Sequence, residues 1–297
     1  MSLNLEKPVK SLSINGKDLK LLSEIIYVDK GLFNQLVNGT LTEVTEEDLQ
    51  GDTKVNAYAF YNQGKLTKVA LPSTITSIGE YAFYDCTYLQ SINLGENIKS
   101  VGKYAFYNCQ SLRQPIFLSS DTSIGESAFA MCNMTKFKGY GYKTTKTTGY
   151  WTFQNCSNLK IIEFNEGLLS FEQMNGNGRI GVDKFIVPST CISIYTNEIY
   201  QAEVIIKATV PPKFSSANTN FAKNKIIYVP LASIEQYKVT TNATIYTFRP
   251  LVKTYEDLST IDTTLYTKAC VEGNEKGIED ENNYKIYNYT NGEWVAE

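Results

Sequence analysis

The sequence Gly79-Glu-Tyr-Ala-Phe-Tyr-Asp-Cys86 recurs 23 residues later as Gly102-Lys-Tyr-Ala-Phe-Tyr-Asn-Cys109, and again as Gly125-Glu-Ser-Ala-Phe-Ala-Met-Cys132. Glycine, phenylalanine and cysteine keep the same 23-residue spacing in all three segments. A period of about 20 to 30 residues with apolar positions in a fixed pattern is typical of a solenoid, in which each coil stacks on the next. These segments therefore predict a repeat protein.

A second apolar motif lies between these segments and shows how far the array extends. It has the form L-x-x-I-x-L, and its second half alternates as a strand with one buried face should. Its leading residues step by 23, 23, 22, 25 and 23, at Leu66, Leu89, Leu112, Met134, Leu159 and Val182. The segment Val187–Ile194 closely copies Leu71–Ile78, so the coils continue to residue 194.

These patterns predict an α/β solenoid of 23-residue coils, with a parallel β-sheet on one face. The Tyr-Ala-Phe-Tyr segments fit a short helix or 3₁₀ turn on the other face, with phenylalanine as the main core residue. A single coil cannot bury its apolar side alone, but stacked coils share one continuous core.

We expect three parts in the chain. Residues 1–40 form an N-terminal helical cap, because apolar residues from Leu19 to Val37 have helical spacing. Residues 41–252 form the solenoid and its C-terminal cap. This part includes strands at 204–206 and 226–229 and a short helix opened by the capping box at Ser233.

Residues 255–297 form a small acidic β-rich module. This segment carries ten acidic residues against three lysines, which gives it a net charge of −7 and leaves +4 for residues 1–254. Aromatic residues alternate from Tyr284 to Tyr289, and Asn291-Gly292 follows, which predicts a β-hairpin.

Composition excludes several functional classes. The chain of 297 residues is 42% hydrophobic and 20% charged, with a net charge of −3, as in a folded soluble protein. The net charge of +4 on residues 1–254 is too small to indicate nucleic-acid binding. No apolar run reaches the length of about 18 residues that a membrane span requires. The first residues lack the basic segment and apolar core of a secretory signal.

Histidine is absent, so the commonest general base is missing and neither a Ser/His nor a Cys/His nucleophile can form. We therefore expect no enzyme activity and no cofactor.

Four of the six cysteines share one repeat position, at Cys86, Cys109, Cys132 and Cys156. Their side chains should point the same way, which suits a disulfide dihedral poorly, so we expect buried free thiols. No CxxC pair is present, and no metal site is expected, although residues 279–281 could form a weak calcium site.

Two surfaces are candidates for ligand binding. The first is the outward face of the sheet, whose residues are not needed to fill the core. The candidates there are Lys68, Ser91, Asn93, Gln114, Lys136, Lys138, Ile161, Glu163 and Lys184, with Ile116 and Ile186 also expected to face outward.

The second candidate is an aromatic loop at Tyr140, Tyr142, Tyr150 and Trp151. Its rings could stack on a sugar or hold a protein if they face solvent, or could fold inward in a loosened coil. In that coil Thr145 and Thr148 replace two core residues.

The repeat resembles the BspA-like branch of the leucine-rich repeats. The matching motif is Ala-Phe-x-x-Cys-x-x-Leu-x-x-Ile-x-Leu-Pro-x-x-x-x-x-Ile-Gly, and it is carried by Ala59 to Gly79 and again by Ala82 to Gly102. Two positions depart from it: Gln63 replaces cysteine in the first full repeat, and Pro115 stands at an inward position of the third strand.

The resemblance implies a non-catalytic module that binds a protein or glycan ligand of a host cell or matrix. It also implies display at a bacterial cell surface or outside the cell. The C-terminal segment is more weakly similar to small β-modules of phage tail and baseplate proteins. This similarity leaves open an alternative role as a structural or receptor-recognition component of a phage-like particle. The sequence does not indicate the oligomeric state.

Overall fold

The repeats stack into a solenoid in which each coil contributes two short strands and a series of turns. The structure, a computed structural model, describes residues 12–14, 17–19, 35–36, 38–139, 151–172, 181–195, 202–214, 222–240, 246–253, 256–272 and 284–297. The predicted leucine-rich solenoid with parallel strands is confirmed.

The strands are short in the first coils and lengthen toward the C-terminus. In chain order they are β1 (Leu12–Ile14), β2 (Lys17–Leu19), β3 (Glu43–Val44), β4 (Lys54–Val55), β5 (Lys68–Val69), β6 (Ser77–Ile78), β7 (Ser91–Ile92), β8 (Ser100–Val101), β9 (Ile116–Phe117), β10 (Ser123–Ile124), β11 (Lys136–Gly139), β12 (Ile161–Phe164), β13 (Ser170–Glu172), β14 (Lys184–Val187), β15 (Ser193–Tyr195), β16 (Ala202–Ile206), β17 (Lys213–Phe214), β18 (Ala222–Pro230), β19 (Thr247–Val252), β20 (Lys268–Glu272), β21 (Tyr284–Thr290) and β22 (Glu293–Ala296).

Helical structure is sparse in the described part of the chain. The predicted short helix near Ser233 is confirmed as α1 (Ile234–Thr240). Three 3₁₀ turns are present, at Glu47–Leu49, Leu231–Ser233 and Glu256–Thr260.

Parallel strands line two sides of the coil rather than the single side that we expected. On the side that we call the sheet side, β3, β5 and β7 form one sheet, and a ten-stranded sheet runs from β9 to β22. On the return side, β4, β6, β8 and β10 form a second ladder, which β13, β15 and β17 form again farther along. The Ile-x-x-Ile segments that bring apolar residues back into the core therefore also make strands.

The third side, which we call the turn side, is formed by the Tyr-Ala-Phe-Tyr segments. Each segment folds as successive i to i+3 turns and not as a helix; for example, the Ala82 N–H donates to the Gly79 carbonyl at 3.3 Å. Alternate N–H groups donate to the next coil, as that of Phe83 does to the Ala105 carbonyl at 2.7 Å. The backbone of these turns is therefore satisfied both within each coil and between coils.

Phenylalanines form the predicted interior column. The rings of Phe60, Phe83, Phe106 and Phe129 stack in sequence, with centroids 5.1, 5.1 and 5.2 Å apart. Phe153 is buried in the same core and lies 4.6 Å from Phe137, centroid to centroid. The coils thus share one apolar core, as the repeat predicts.

In three successive coils a glycine lies where two coils come close together. A Cβ atom built on Gly102 would lie 2.5 Å from the backbone nitrogen of Glu80 in the preceding coil. Gly79 and Gly125 meet the preceding backbone in the same way. Glycine recurs at this position because the neighbouring main chain leaves no room for a side chain.

Pro115 shifts the third strand by one residue. Phe137 is paired with Ile116, so Ile116 points inward and is buried, while Phe117 points outward and is 50% exposed. The expectation that Ile116 faces outward is therefore wrong. The reason is that proline has no N–H for the ladder, so the next residue takes the inward place.

At the N-terminus, strands β1 and β2 form an antiparallel hairpin within the residues that we expected to form a helical lead-in. Residues 35–36 are helical, and residues 20–34 and 37 of the predicted helix lie outside the described residues, so the division into three parts stays a prediction. At the other end, β19 pairs with β20 in parallel, so the sheet is continuous across the expected boundary at 252–255. Whether residues 255–297 fold as a separate module stays a prediction.

The predicted C-terminal hairpin is confirmed. Strands β21 and β22 pair antiparallel, and Asn291 and Gly292 both have positive φ, at 53° and 91°, as a tight two-residue turn requires. Trp294 packs against Tyr289, with ring centroids 5.3 Å apart.

Candidate binding surface

The outward face of the sheet side has an open part and a covered part. The open part, which we call the open sheet patch, lies on the early coils, where outward side chains reach solvent. It consists of Lys68, Ser91, Asn93, Gln114, Phe117 and Lys138. Lys68 and Asn93 are exposed, whereas Ser91 and Gln114 are half-buried.

Two amides of the patch are held by the neighbouring coil. Asn93 Nδ2 donates to the Leu71 carbonyl at 3.0 Å, and Asn93 Oδ1 accepts from the Leu71 N–H at 2.5 Å. The Gln114 amide donates to the Ile92 carbonyl. These side chains continue the hydrogen-bond ladder beyond the short strands, so their amides are already engaged in the fold.

Phe117 lies among cationic groups. It is adjacent to Lys138 across the β9–β11 pair, and the Lys136 ammonium lies 5.7 Å from the centre of its ring. An ammonium over an aromatic face is attracted by the ring quadrupole. The one-residue shift at Pro115 therefore places an exposed aromatic side chain on the sheet side, which sequence reasoning had put in the core.

A nearly buried carboxylate joins the open part to the covered part. Glu163 accepts from the Lys138 ammonium at 2.8 Å and lies 3.5 Å from that of Lys136, and its side chain is 5% exposed. Removal of one partner from such a pair leaves a buried charge without compensation, which is strongly destabilising. Lys136 and Glu163 therefore contribute to the stability of the fold as well as to the outward face of the sheet.

The covered part, which we call the covered face, is occupied by the chain's own C-terminal hairpin. It is an apolar cluster that includes Ile161, Ile186, Ile205, Tyr228, Leu251, Cys270, Tyr284 and Ile286. The Lys184 ammonium donates to the Tyr284 carbonyl at 2.6 Å, although 100 residues separate the two in sequence. Lys207 pairs with Glu272 at 2.7 Å and lies 5.2 Å from the centre of the Tyr284 ring.

Of the predicted sheet-face residues, Ile161, Glu163 and Lys136 are buried, and Lys184 is half-buried beneath the hairpin. Ile186, also expected to face outward, is buried in the covered face. The structure therefore brings together only the earlier half of the predicted set as an open surface.

The aromatic loop is only partly described. Trp151 is 39% exposed and has a left-handed backbone with φ of 62°. Tyr140, Tyr142 and Tyr150 lie outside the described residues, as do Thr145, Thr148 and residues 279–281.

The repeated cysteines are buried thiols with one shared contact. Each donates its S–H to the carbonyl of the phenylalanine in the preceding coil, as Cys109 Sγ does to Phe83 at 3.2 Å. All six cysteines are buried and free. Burial raises the pKa of the Cys86 thiol to about 12 and that of Cys191 to about 11. A thiol is a weak nucleophile until it ionises, so these groups are suited to packing and not to chemistry.

Gln63 makes the corresponding contact in the first repeat. Its Nε2 donates to the Leu36 carbonyl at 3.2 Å, and the residue is buried. The longer glutamine side chain donates to a carbonyl of the N-terminal segment, whereas in later coils the cysteine S–H donates to a carbonyl of the preceding coil. The departure from the repeat motif thus marks the point where the array meets its cap.

No group of three or more histidine, cysteine or acidic residues that could hold a metal occurs within the described ranges. No helix in the described part of the chain is both long enough and apolar enough to cross a membrane.

The model of the BspA type leucine rich repeat region matches six copies of the repeat, over residues 53–138 and 122–243. These matches together span more than half of the chain. The chain belongs to the BspA-type leucine-rich repeat family. This assignment agrees with the repeated coils and their stacking described above.

Two solved structures are similar to this BspA-type chain. A leucine-rich repeat protein from Bacteroides ovatus has 21% identity and a TM-score of 0.47, and the match covers 67% of this chain and 53% of that protein. A leucine rich cell surface protein from Faecalibacterium prausnitzii has 17% identity and a TM-score of 0.31, with coverage of 71% and 79%. The chain thus spans about half the length of the Bacteroides ovatus protein. No curated protein matches it.

Proposed function

We propose that this chain is a non-enzymatic module that binds a macromolecular ligand through the open sheet patch and acts at a bacterial cell surface or outside the cell. The ligand is a protein or glycan of a host cell or matrix. The main support is Phe117, an aromatic side chain that is 50% exposed and lies among lysines on a regular face of the solenoid. Aromatic residues, including phenylalanine, are enriched in protein interfaces relative to the rest of the surface.

The charge of the patch suggests the character of the ligand. Lys68 is exposed, and Lys138 is partly exposed although it is paired with Glu163. Glu43 is exposed and lies beside Lys68 across the β3–β5 pair, so the patch presents charges of both signs. A ligand that carries both acidic and basic groups complements such a surface.

The test compares two double variants of the whole chain. In the first, Phe117→Ser and Lys68→Glu alter the patch. In the control, Leu265→Ser and Lys54→Glu replace one exposed apolar residue and one exposed lysine outside the patch. Leu265 is 66% exposed, and Lys54 is exposed on the return side. Binding to a panel of immobilised matrix proteins, sulfated glycans and fixed host cells is measured for both.

We expect the patch variant to lose about tenfold or more in affinity for any probe that the wild-type chain binds, and the control to stay within about twofold. Equal binding by the patch variant, with the fold intact by circular dichroism, would refute the proposal. A screen for hydrolase and glycosidase activity should be negative. The alternative role in a phage-like particle has no support from the family match, and we do not propose it.

A further inference from the structure

The turn side carries six tyrosines in two parallel columns, which we call the tyrosine ladder. One column consists of Tyr58, Tyr81 and Tyr104, with successive centroids 4.9 and 5.1 Å apart. The other consists of Tyr61, Tyr84 and Tyr107, at 5.1 and 4.9 Å. Within each coil the two rings lie 5.5 to 5.8 Å apart and are inclined by 45° to 74°.

We propose that the tyrosine ladder is a docking surface for an extended, basic, proline-rich peptide segment in the polyproline II conformation. This surface is distinct from the open sheet patch, and the proposal goes beyond the function proposed above.

The backbone under the first column does not favour tyrosine, although the rings of this column also stack from coil to coil. Tyr58, Tyr81 and Tyr104 have φ of 61°, 55° and 54°, the left-handed region that bulky residues disfavour. The other left-handed position of the same turns carries Asn62, Asp85 and Asn108, which adopt this conformation readily. In these three coils the favourable residue types therefore stand at one position and an unfavourable one at the other, whereas in the next coil Met131 takes the second position with φ of 60°.

The next coil shows that the turn forms without the rings. Ser127 occupies the first left-handed position there with φ of 53°, and Ala130 stands where the second column would continue. The inter-coil hydrogen bonds are kept, since the Tyr104 N–H still donates to the Glu126 carbonyl at 2.9 Å and the Phe106 N–H to that of Ala128 at 2.8 Å. Residues in disfavoured conformations that the fold does not require are most often functional.

The spacing of the ladder fits one kind of extended ligand. Two coils span about 10 Å, while one turn of polyproline II contains three residues and rises about 9.3 Å. Every third residue of the peptide would thus meet every second tyrosine of a column. A β-strand repeats its side chains about every 6.7 Å, which matches neither one coil nor two.

Hydrogen-bonding chemistry favours this ligand over a helix. A helix laid along the ladder, with a pitch of about 5.4 Å, would also fit the spacing, but its carbonyls are bonded internally. A polyproline II segment has no internal hydrogen bonds, so its carbonyls can accept from phenol hydroxyls, which are protonated at neutral pH. The Tyr104 hydroxyl already donates to Glu126 at 3.2 Å, so the proposed donors lie in the second column. Aromatic-lined grooves are a recurrent means of binding such peptides.

Charge around the ladder is acidic. Glu80 is exposed, and Asp85 and Glu126 are half-buried beside the rings. The Lys103 ammonium lies 5.1 Å from the centre of the Tyr104 ring and is paired with Glu126 at 2.8 Å, which leaves Glu80 and Asp85 as the acidic groups beside the ladder. A ligand with basic side chains at its outward positions complements this surface.

The test measures binding of the full chain to synthetic peptides by titration calorimetry at low salt. The probe is four repeats of Arg-Pro-Pro. Four repeats of Arg-Gly-Gly keep the charge without the conformation, and four repeats of Glu-Pro-Pro keep the conformation with the opposite charge. A basic amphipathic helical peptide and cellohexaose test a helix and a glycan in the same place.

We expect the Arg-Pro-Pro peptide to bind and each of the other four probes to bind at least about tenfold more weakly. The variant Tyr58→Ser, Tyr81→Ser, Tyr104→Ser, which gives each coil the residue type found at Ser127, should lose about tenfold in affinity. Tyr88→Ser, which alters a tyrosine that is 60% exposed outside the ladder, should change affinity by less than about twofold. The open-patch variant Phe117→Ser should bind the peptide as the wild type does, so the two proposals can fail separately.

Each of the following results would overturn the proposal: no binding of the Arg-Pro-Pro peptide, equal binding of the Arg-Gly-Gly or Glu-Pro-Pro peptide, preferential binding of the helix or the glycan, or unchanged peptide affinity in the folded serine variant. If the serine variant does not fold, Tyr61→Phe, Tyr84→Phe and Tyr107→Phe together keep the ring stacking and remove three hydroxyls. Peptide affinity unchanged in that folded variant would exclude the hydrogen bonds that favour polyproline II, and would equally overturn the proposal.

Discussion

At the scale of single residues, the repeat depends on side chains that fit where one coil meets the next. Cysteine is small enough for the core, and its S–H donates to the preceding phenylalanine carbonyl, as Cys132 does to Phe106 at 3.0 Å. Glycine stands where the backbones touch, because any side chain at Gly102 would overlap the preceding main chain. Both preferences follow from the close approach of stacked coils.

Gly102→Ala should destabilise the protein by about 3 kcal/mol, because the new methyl group meets backbone atoms that cannot move aside cheaply. Gly95→Ala is the matched control, since a Cβ there has nothing within 4 Å. Urea denaturation followed by circular dichroism measures both. Equal stability of the two variants would contradict the close packing of coils at Gly102.

The buried thiols predict loss of stability at high pH. The folded-state pKa of Cys86 is raised by burial from 9.0 to about 12, so the unfolded chain ionises first as pH rises. The contribution of this thiol is therefore complete below pH 9 and is lost progressively between about pH 9 and 12. Unfolding free energies measured across this range should fall, and they should fall less steeply in Cys86→Ala. The same slope in both proteins would contradict this account.

At the scale of elements, the C-terminal hairpin decides how much of the sheet side is available. Strand β21 carries Tyr284 and Ile286 into the apolar cluster of the covered face, and the Tyr284 carbonyl holds the Lys184 ammonium. The open sheet patch is what remains on the earlier coils. The hairpin thus packs on the sheet side of the later coils.

Deletion of residues 284–297 should uncover Ile161, Ile186 and Tyr228, which are buried in the whole chain. We expect a lower melting temperature, stronger fluorescence of a hydrophobic dye and self-association in light scattering. The point variant Val295→Ser, at a hairpin residue that is 51% exposed, should behave as the wild type. A truncated chain that stays monomeric and binds no more dye would show that the hairpin does not cover this face.

Sequence reasoning succeeded where the structure is local and repeated, and failed where it depends on distant contacts. The period and the positions of Phe83 and Phe106 predict the column, because each coil repeats the same constraint. The exposure of Phe117 was missed, since the motif does not show that Pro115 shifts the strand by one residue. The contact between Lys184 and Tyr284 leaves no pattern in either segment, so the covered face could not be predicted.

At the scale of the whole molecule, each coil is stable only against its neighbours. The stacked rings, the inter-coil hydrogen bonds and the two strand ladders all join coil to coil, and none of them closes within a single coil. The stability of such arrays is the sum of the terms for single coils and for the interfaces between neighbours. The tyrosine ladder depends on this regularity, because it is a row of equivalent positions, whereas Phe117 of the open sheet patch is exposed through the local shift at Pro115.

The most direct test of this stacking is a pair of double-mutant cycles measured by urea denaturation. Phe83→Leu and Phe106→Leu alter rings in contact, at 5.1 Å between centroids, whereas Phe60→Leu and Phe129→Leu alter rings three coils apart in the same column. We predict a coupling energy of about 0.5 to 1.5 kcal/mol for the first pair and additivity within about 0.5 kcal/mol for the second. Additive effects for Phe83 and Phe106, or equal coupling in both pairs, would contradict a solenoid held together by contacts between adjacent coils.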